Sequence, residues 1–185
     1  MSTSSYKTDA LEAKKKLEQV SPTMCLAKWN QTSLHLPTGL TNSCYHPPLH
    51  EIDADAVKLN PAALHNTAEK MNQRQQMLQG QQPEGCSYCW NMEKTGEMSD
   101  RHYRSGEPWA MQDFEDIRKN PIDEHWTPRY VEVNFNNACN LQCSYCSPQF
   151  STKWGQEIER YGQYPTSPPH NAPEHFQGRR RPIPN

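Results

Sequence analysis

Residues 139–146 read Cys-Asn-Leu-Gln-Cys-Ser-Tyr-Cys, and this loop constrains the chain more than any other stretch. Three thiols fall at C-x3-C-x2-C spacing directly after a segment with strand alternation. Three thiolates on one short loop can hold an iron–sulfur cube by three of its irons, which leaves the fourth iron without a protein ligand. Closed metal sites are structural, whereas an open coordination position marks a site where substrate binds. The competing reading is zinc, which C-x2-C pairs also bind. Zinc would need a fourth ligand here, such as His125 or His170. Two spacings in one loop, no following C-x2-C pair, and an aromatic before the last cysteine favour a cluster.

The other cysteines extend this reading. The chain has 7 cysteines in 185 residues. An odd number, with no apolar h-region near the N-terminus, is a poor basis for a disulfide framework. The cysteines divide into Cys25, Cys44, Cys86 and Cys89, and then the trio. Four plus three suggests one closed and one open site. By spacing alone, zinc and iron–sulfur suit the quartet equally. His46, His50 and His65 lie between quartet cysteines and are alternative ligands, although each alone reads more naturally as a surface or capping histidine. Tyr88 and Trp90 flank the C-x2-C pair as an apolar lid against solvent.

Only 34% of residues are apolar, 16 are proline and mean hydropathy is −1.04, so a large core is excluded. The formal charge of −2 gives no basic bias toward nucleic acid. No apolar run reaches the roughly 20 residues that span a bilayer. The expected location is the cytoplasm.

Along the chain, residues 1–22 are polar. A helix near 8–20 has only Leu11, Leu17 and Val20 as a stripe, so a charged, frayed terminus is expected. Residues 23–50 read as short strands around a Pro37-Thr38-Gly39 turn, a hairpin that would bring Cys44 close to Cys25. A helix is expected within 60–79, capped by Asn60 or restarted at Thr67, with Leu64, Ala68, Met71 and Leu78 on one face and Gly80 ending it. Within 91–128 the one regular piece expected is a helix around 110–119, and Ser105-Gly106-Glu107-Pro108 reads as a turn. Tyr130 to Phe135 alternates as a strand, with Val131, Val133 and Phe135 on one side. Ser151 then caps a helix carrying Trp154, Ile158 and Tyr161. Residues 164–185 are proline-rich, contain Arg179-Arg180-Arg181 and read as a disordered tail.

The C-x3-C-x-aromatic-C arrangement of Cys139, Cys143, Tyr145 and Cys146 resembles the radical S-adenosylmethionine (radical SAM) enzymes. The resemblance implies that the three cysteines hold a [4Fe–4S] cluster and that SAM chelates its fourth iron, with Tyr145 near the adenine. One electron from the cluster then cleaves SAM to methionine and a 5′-deoxyadenosyl radical. Gly39-x4-Cys44, then Arg74, Met77, Leu78 and Gly80, then Cys86-x2-Cys89 with Glu93, Gly96, Ser99 and Arg101 resemble SPASM/Twitch domains. That resemblance implies an auxiliary iron–sulfur cluster on Cys25, Cys44, Cys86 and Cys89, with zinc as the alternative. The whole is similar to radical SAM proteins with an N-terminal Twitch domain, over residues 23–160.

The expected fold is α+β. It comprises a polar segment (1–22), a Cys-rich hairpin/helix auxiliary-cluster domain (23–105), a linker (106–128), the first β/α unit of an incomplete radical SAM (β/α) barrel (129–163), and the tail (164–185). The family's Gly-Gly-Glu stretch has no counterpart after Cys146; Ser105-Gly106-Glu107 is similar but precedes the trio. The chain is therefore expected to be the front part of a longer enzyme, a truncated or split reading frame that is completed by a second polypeptide or not completed. Expected partners are SAM, a substrate of unspecified class and an electron donor such as a flavodoxin or ferredoxin. The alternatives are a non-catalytic zinc-binding interaction module and an iron–sulfur electron-transfer module.

Overall fold

The structure is a computed structural model that describes residues 3–148 and 150–163; the expected tail, with Arg179–Arg181 and His170, lies outside them. In chain order the elements are α1 (Thr3–Glu18), α2 (Ala27–Asn30), β1 (Gln31–His35), β2 (Leu40–Asn42), β3 (His50–Glu51), α3 (Ala54–Leu59), a 3-10 turn (Pro61–Leu64) and α4 (Ala68–Leu78). A second 3-10 turn (Glu84–Cys86) leads into α5 (Ser87–Lys94), α6 (Asp100–Gly106), α7 (Pro108–Met111), α8 (Phe114–Lys119), β4 (Tyr130–Asn134) and α9 (Thr152–Tyr161). The fold is mixed α+β with one small sheet of order β3-β2-β1-β4. The chain forms two compact units, Met1–Leu34 with Thr41–Glu132, and His35–Leu40 with Val133–Asn185.

In the first unit, α1 is a helix rather than a frayed terminus. Its buried face is Ala10, Ala13 and Leu17, at helical offsets of three and four, while Leu11 points to solvent. Two alanines on that face let another helix come close. A Cβ at Gly106 of α6 would stand 3.0 Å from the Asp9 carbonyl oxygen, so that crossing needs glycine. Leu17, Met24, Leu26, Trp29, Ala110, Phe114 and Ile117 form the apolar core. Residues 106–128, expected as a linker, thus supply three of its members. Trp29 fixes the following loop by donating from Nε1 to the Pro121 carbonyl at 2.7 Å. Ser105-Gly106-Glu107-Pro108 is the junction of α6 and α7, with the buried Ser105 hydroxyl accepting the Leu26 N–H at 3.0 Å.

The hairpin forms as its turn chemistry predicts, with Gly39 at φ 68. Both helix starts expected between 60 and 67 are used. The Asn60 side chain caps the 3-10 turn, and the Thr67 side chain accepts the Lys70 N–H to open α4. The face of α4 that faces inward is Lys70, Gln73, Arg74 and Met77, not the Leu64, Ala68, Met71 and Leu78 set. Apolar periodicity misses it because three of the four buried residues are polar. Gly80 ends the helix at φ 75, the left-handed C′ position.

In the second unit, β4 leads into the cysteine loop and then α9. The Leu36 N–H donates to the Asn134 carbonyl at 3.0 Å, so the strand has a paired edge. Val131 and Phe135, the residues expected on a buried face, are exposed, Phe135 at 73%. Ile158 of α9 is buried, whereas Tyr161 is exposed. Among the described residues no helix is long and apolar enough to cross a membrane.

Candidate metal centre

Cys25, Cys44, Cys86 and Cys89 come from four separate places: the turn before α2, the loop after β2, the 3-10 turn and α5. All four line one cavity of about 20 Å³ in the first unit. Lys28, His46, Met77, Trp90 and Arg101 complete its wall. Cys25, Cys86 and Cys89 are buried, and none of the four is in a disulfide. Cys25, Ala27, Met77, Cys86 and Trp90 make a second small apolar cluster, so the sulfurs are shielded from water on one side.

The electrostatics are those of buried thiols held protonated. Burial pushes the Cys25 thiol up to about 12, and the charges of Cys44, Cys89 and Cys86 add to the rise. Burial likewise pushes Cys89 up to about 11, against hydrogen bonding from the Arg101 backbone and the Ser99 side chain. Cys44 is raised by burial, with the Lys28 charge and a hydrogen bond from the His46 backbone opposing. If ionised, four thiolates lining one cavity would repel one another, and a bound cation would reverse that balance. Backbone N–H donors aimed at sulfur are the kind of outer contact that tunes a metal–thiolate site.

The Glu93, Ser99 and Arg101 set surrounds this cavity. Arg101, buried, donates from Nε to Glu93 Oε1 at 2.9 Å, from Nη2 to Oε2 at 2.7 Å, and from Nη1 to the Met24 carbonyl at 2.8 Å. It also lies over the Trp90 ring, 5.4 Å from the centroid. Arg74, equally buried, donates from Nε to the Lys28 carbonyl at 3.0 Å and from Nη1 to Asn66 Oδ1 at 2.7 Å. These two arginines hold the segments on which Cys25 and Cys89 stand.

Of the three histidines offered as alternative ligands, only His46 lines the cavity. Its Nε2 is 2.7 Å from Asp100 Oδ2, and its ring stacks on Tyr88 at 3.9 Å. His50 Nε2 bonds the Thr67 hydroxyl at 2.8 Å, and His65 Nε2 faces the Trp29 carbonyl at 2.6 Å; both serve the scaffold. Trp90 is buried and donates to the Pro83 carbonyl at 2.9 Å, while Tyr88 is half exposed. Sequence reasoning missed Lys28 and Asp100 in this wall. The signal for Lys28 was available: it is the one charge inside the apolar run Met24–Trp29.

Cys139, Cys143 and Cys146 sit in the second unit, half-buried on one loop. The start of α9 holds that loop. Ser151 Oγ accepts the Trp154 N–H at 3.3 Å and donates to the Leu141 carbonyl at 2.8 Å. Thr152 Oγ1 donates to the Cys139 carbonyl at 3.0 Å, and Trp154 Nε1 donates to the Cys143 carbonyl at 3.1 Å. The Cys146 N–H closes a turn onto the Cys143 carbonyl at 2.9 Å. Tyr145 is 90% exposed. A hydrogen bond to the Cys143 sulfur raises its phenol pKa.

Among the described residues, no three His, Cys, Asp or Glu side chains group as a single metal ion would require. No protein-family model, curated protein or solved structure matches this chain.

Proposed function

We propose that this chain is the cluster-bearing part of a radical SAM enzyme, with a [4Fe–4S] cluster on Cys139, Cys143 and Cys146 and an auxiliary iron–sulfur cluster on Cys25, Cys44, Cys86 and Cys89. The observation that carries the proposal is the convergence of Cys25, Cys44, Cys86 and Cys89 on one cavity wall from positions spread over the first unit. Buried thiols pack as small apolar groups, but their gathering from four separate segments onto one cavity is what a four-ligand metal centre would require.

The chemistry a cluster on the trio supplies is one-electron reductive cleavage of SAM, and the protein's own share is orientation. Ser151, Thr152 and Trp154 tie the backbone at Leu141, Cys139 and Cys143, which leaves the sulfurs free to act as ligands. Tyr145, with its ring in solvent, is available to stack on an adenine. Around the quartet, Trp90 and Met77 exclude water, and the Arg101 and His46 backbones hydrogen bond to the Cys89 and Cys44 sulfurs.

A second reading, zinc on the quartet, is favoured by the size of the cavity. About 20 Å³ admits roughly one water-sized sphere, so a four-iron core requires the thiols to rotate outward, whereas a zinc ion would draw them inward. That version makes the first unit a structural zinc module. Metal analysis decides between them. The full chain, reconstituted anaerobically with iron and sulfide, is expected to bind about eight irons, falling to about four when Cys139, Cys143 and Cys146 are all alanine, by four-iron stoichiometry. Zinc alone, with no visible chromophore, would sink the iron–sulfur proposal. The expected cytoplasmic location and the flavodoxin- or ferredoxin-type donor belong to the same proposal, because cluster assembly and low-potential electrons require reducing surroundings.

A further inference from the structure

The first unit buries three basic side chains, and burial pushes one of them, Lys70, down to about 6. Lys28 is 2% exposed, and Lys70 and Arg74 are each 0% exposed. Lys70 Nζ donates to the Thr32 and Thr41 hydroxyls at 2.8 and 2.9 Å. Arg74 donates to the Lys28 carbonyl and to Asn66 Oδ1, and its Nη2 lies 2.8 Å from His65 Nε2. Lys28 Nζ donates to Ser43 Oγ at 3.0 Å and to Gln73 Oε1 at 2.5 Å. Among the described residues no carboxylate forms an ion pair with any of the three, while Arg101 beside them is paired with Glu93. Burying a charge is costly unless an opposite charge repays it, so an unpaired buried cation calls for an anion.

Lys28 alone of these three lines the cysteine cavity. Its hydroxyl partner, Ser43, immediately precedes Cys44, and its charge acts on the Cys44 sulfur. The two carboxylates nearby are committed elsewhere: Asp100 faces His46 Nε2, and Glu69 accepts from Gln73 Nε2. Four thiolates around either a doubly charged four-iron cube or a zinc ion leave a centre that is negative overall. We propose that Lys28 is the built-in counter-ion of the metal–thiolate centre on Cys25, Cys44, Cys86 and Cys89, and that its charge raises the affinity of that centre for an electron. This rests on the reading above that the quartet holds a metal centre. It adds a residue and a property that the cysteine pattern does not contain. Adding an electron makes the centre more negative, so a fixed positive charge in its wall favours the reduced form.

The test uses the full chain with Cys139, Cys143 and Cys146 changed to alanine, so that only the quartet loads metal. Lys28→Met removes the charge at similar length, and Lys28→Arg keeps it. Reduction by dithionite, followed by electron paramagnetic resonance, gives the equilibrium constant. Urea unfolding is measured on loaded and metal-free forms. Lys28→Met is expected to disfavour reduction about tenfold, a potential lower by about 59 mV for one electron, and Lys28→Arg to stay within about threefold. Lys28→Met is also expected to destabilise the loaded form more than the metal-free form. An unchanged potential in Lys28→Met, or equal destabilisation of both forms, overturns the proposal. Failure of Lys28→Met to take up metal while Lys28→Arg loads supports it; failure of both overturns it. If the unsubstituted chain takes up only zinc, the iron–sulfur reading falls by itself. The comparison of loaded with metal-free stability then still decides the role of Lys28.

Discussion

Replacing Arg101 with methionine is the sharpest single perturbation of the scaffold around the quartet. The side chain is buried and donates to both Glu93 oxygens and to the Met24 carbonyl, at 2.7 to 2.9 Å. Methionine fills much of the same volume against Trp90 but donates nothing. The Glu93 carboxylate would keep only the Ser99 hydroxyl, at 2.6 Å, and the Met24 carbonyl would lose its arginine donor within the core. Removing one partner of a buried ion pair costs about 3–5 kcal/mol, because the other charge stays buried without compensation. Against a total stability of about 5–15 kcal/mol, that is a large fraction.

The assay is urea unfolding of the metal-free chain at neutral pH, as a cycle with Glu93→Gln. Arg101→Met is expected to lose at least about 3 kcal/mol, Glu93→Gln less because glutamine still accepts from Arg101, and the double variant less than the sum by about 2 kcal/mol. Acid adds a second check. Burial alone would raise the Glu93 carboxyl, but hydrogen bonds from Arg101 and Ser99 outweigh it and hold the group below its ordinary 4.5. A carboxylate with a depressed folded value contributes stability above 4.5 and loses it as pH falls through the folded value. Glu93→Gln should flatten that part of the acid limb. A loss below about 1 kcal/mol for Arg101→Met, or an additive cycle, would refute the reasoning.

The trio loop offers a separate test: Ser151→Ala removes the cap of α9 and the donor to Leu141, and should cost about 1 kcal/mol while lowering iron retained by Cys139, Cys143 and Cys146, with quartet iron unchanged. Equal loss from both sites, by iron counting in single-site variants, would contradict it. For pH, burial and the Lys70 charge press His50 down to about 4, and burial and the Arg101 charge press His102 to about 4. The folded chain then stays neutral at both rings where the unfolded chain takes up protons, so metal-free stability should fall as pH drops from about 6.5 toward 4; a flat urea midpoint across that window would rule this out.

Turn and cap chemistry was legible in the sequence wherever a single residue type dictates it. Gly39, Gly80, Asn60, Thr67 and Ser151 occupy the turn and cap positions their chemistry predicts. Apolar periodicity was a weaker guide, because this chain buries polar surface. The inward face of α4 is three-quarters polar, and the inward face of α1 is largely alanine, so a search for large apolar residues passes over both. Helices α5 and α6 were hidden for a related reason. Their buried residues, Cys89, Trp90, Arg101, His102 and Ser105, carry no hydrophobic stripe and are fixed by hydrogen bonds instead. The alternation of β4 was legible, but its burial was not. Alternation establishes that Val131 and Phe135 share a face, not that anything covers it.

The polar interior and the quartet belong to the same unit, whereas the trio belongs to the other. Across the whole chain 34% of residues are apolar, and the first unit buries many polar side chains beside its apolar core. Two arginines and two lysines donate to carbonyls, amides and hydroxyls of distant segments, and two of them, Lys28 and Arg101, line the cavity shared by the four thiols. Arg101 is paired with Glu93, so Lys28 is the one that would gain a counter-charge from the metal centre proposed there. The trio follows the other logic. Its backbone is tied by Ser151, Thr152 and Trp154, but its sulfurs are half-buried and Tyr145 stands in solvent. A site that must admit a ligand as large as a nucleoside has to leave one side open. The quartet, with three of its four thiols buried and an apolar cluster against Cys25 and Cys86, has the more enclosed setting that the proposed permanent centre requires.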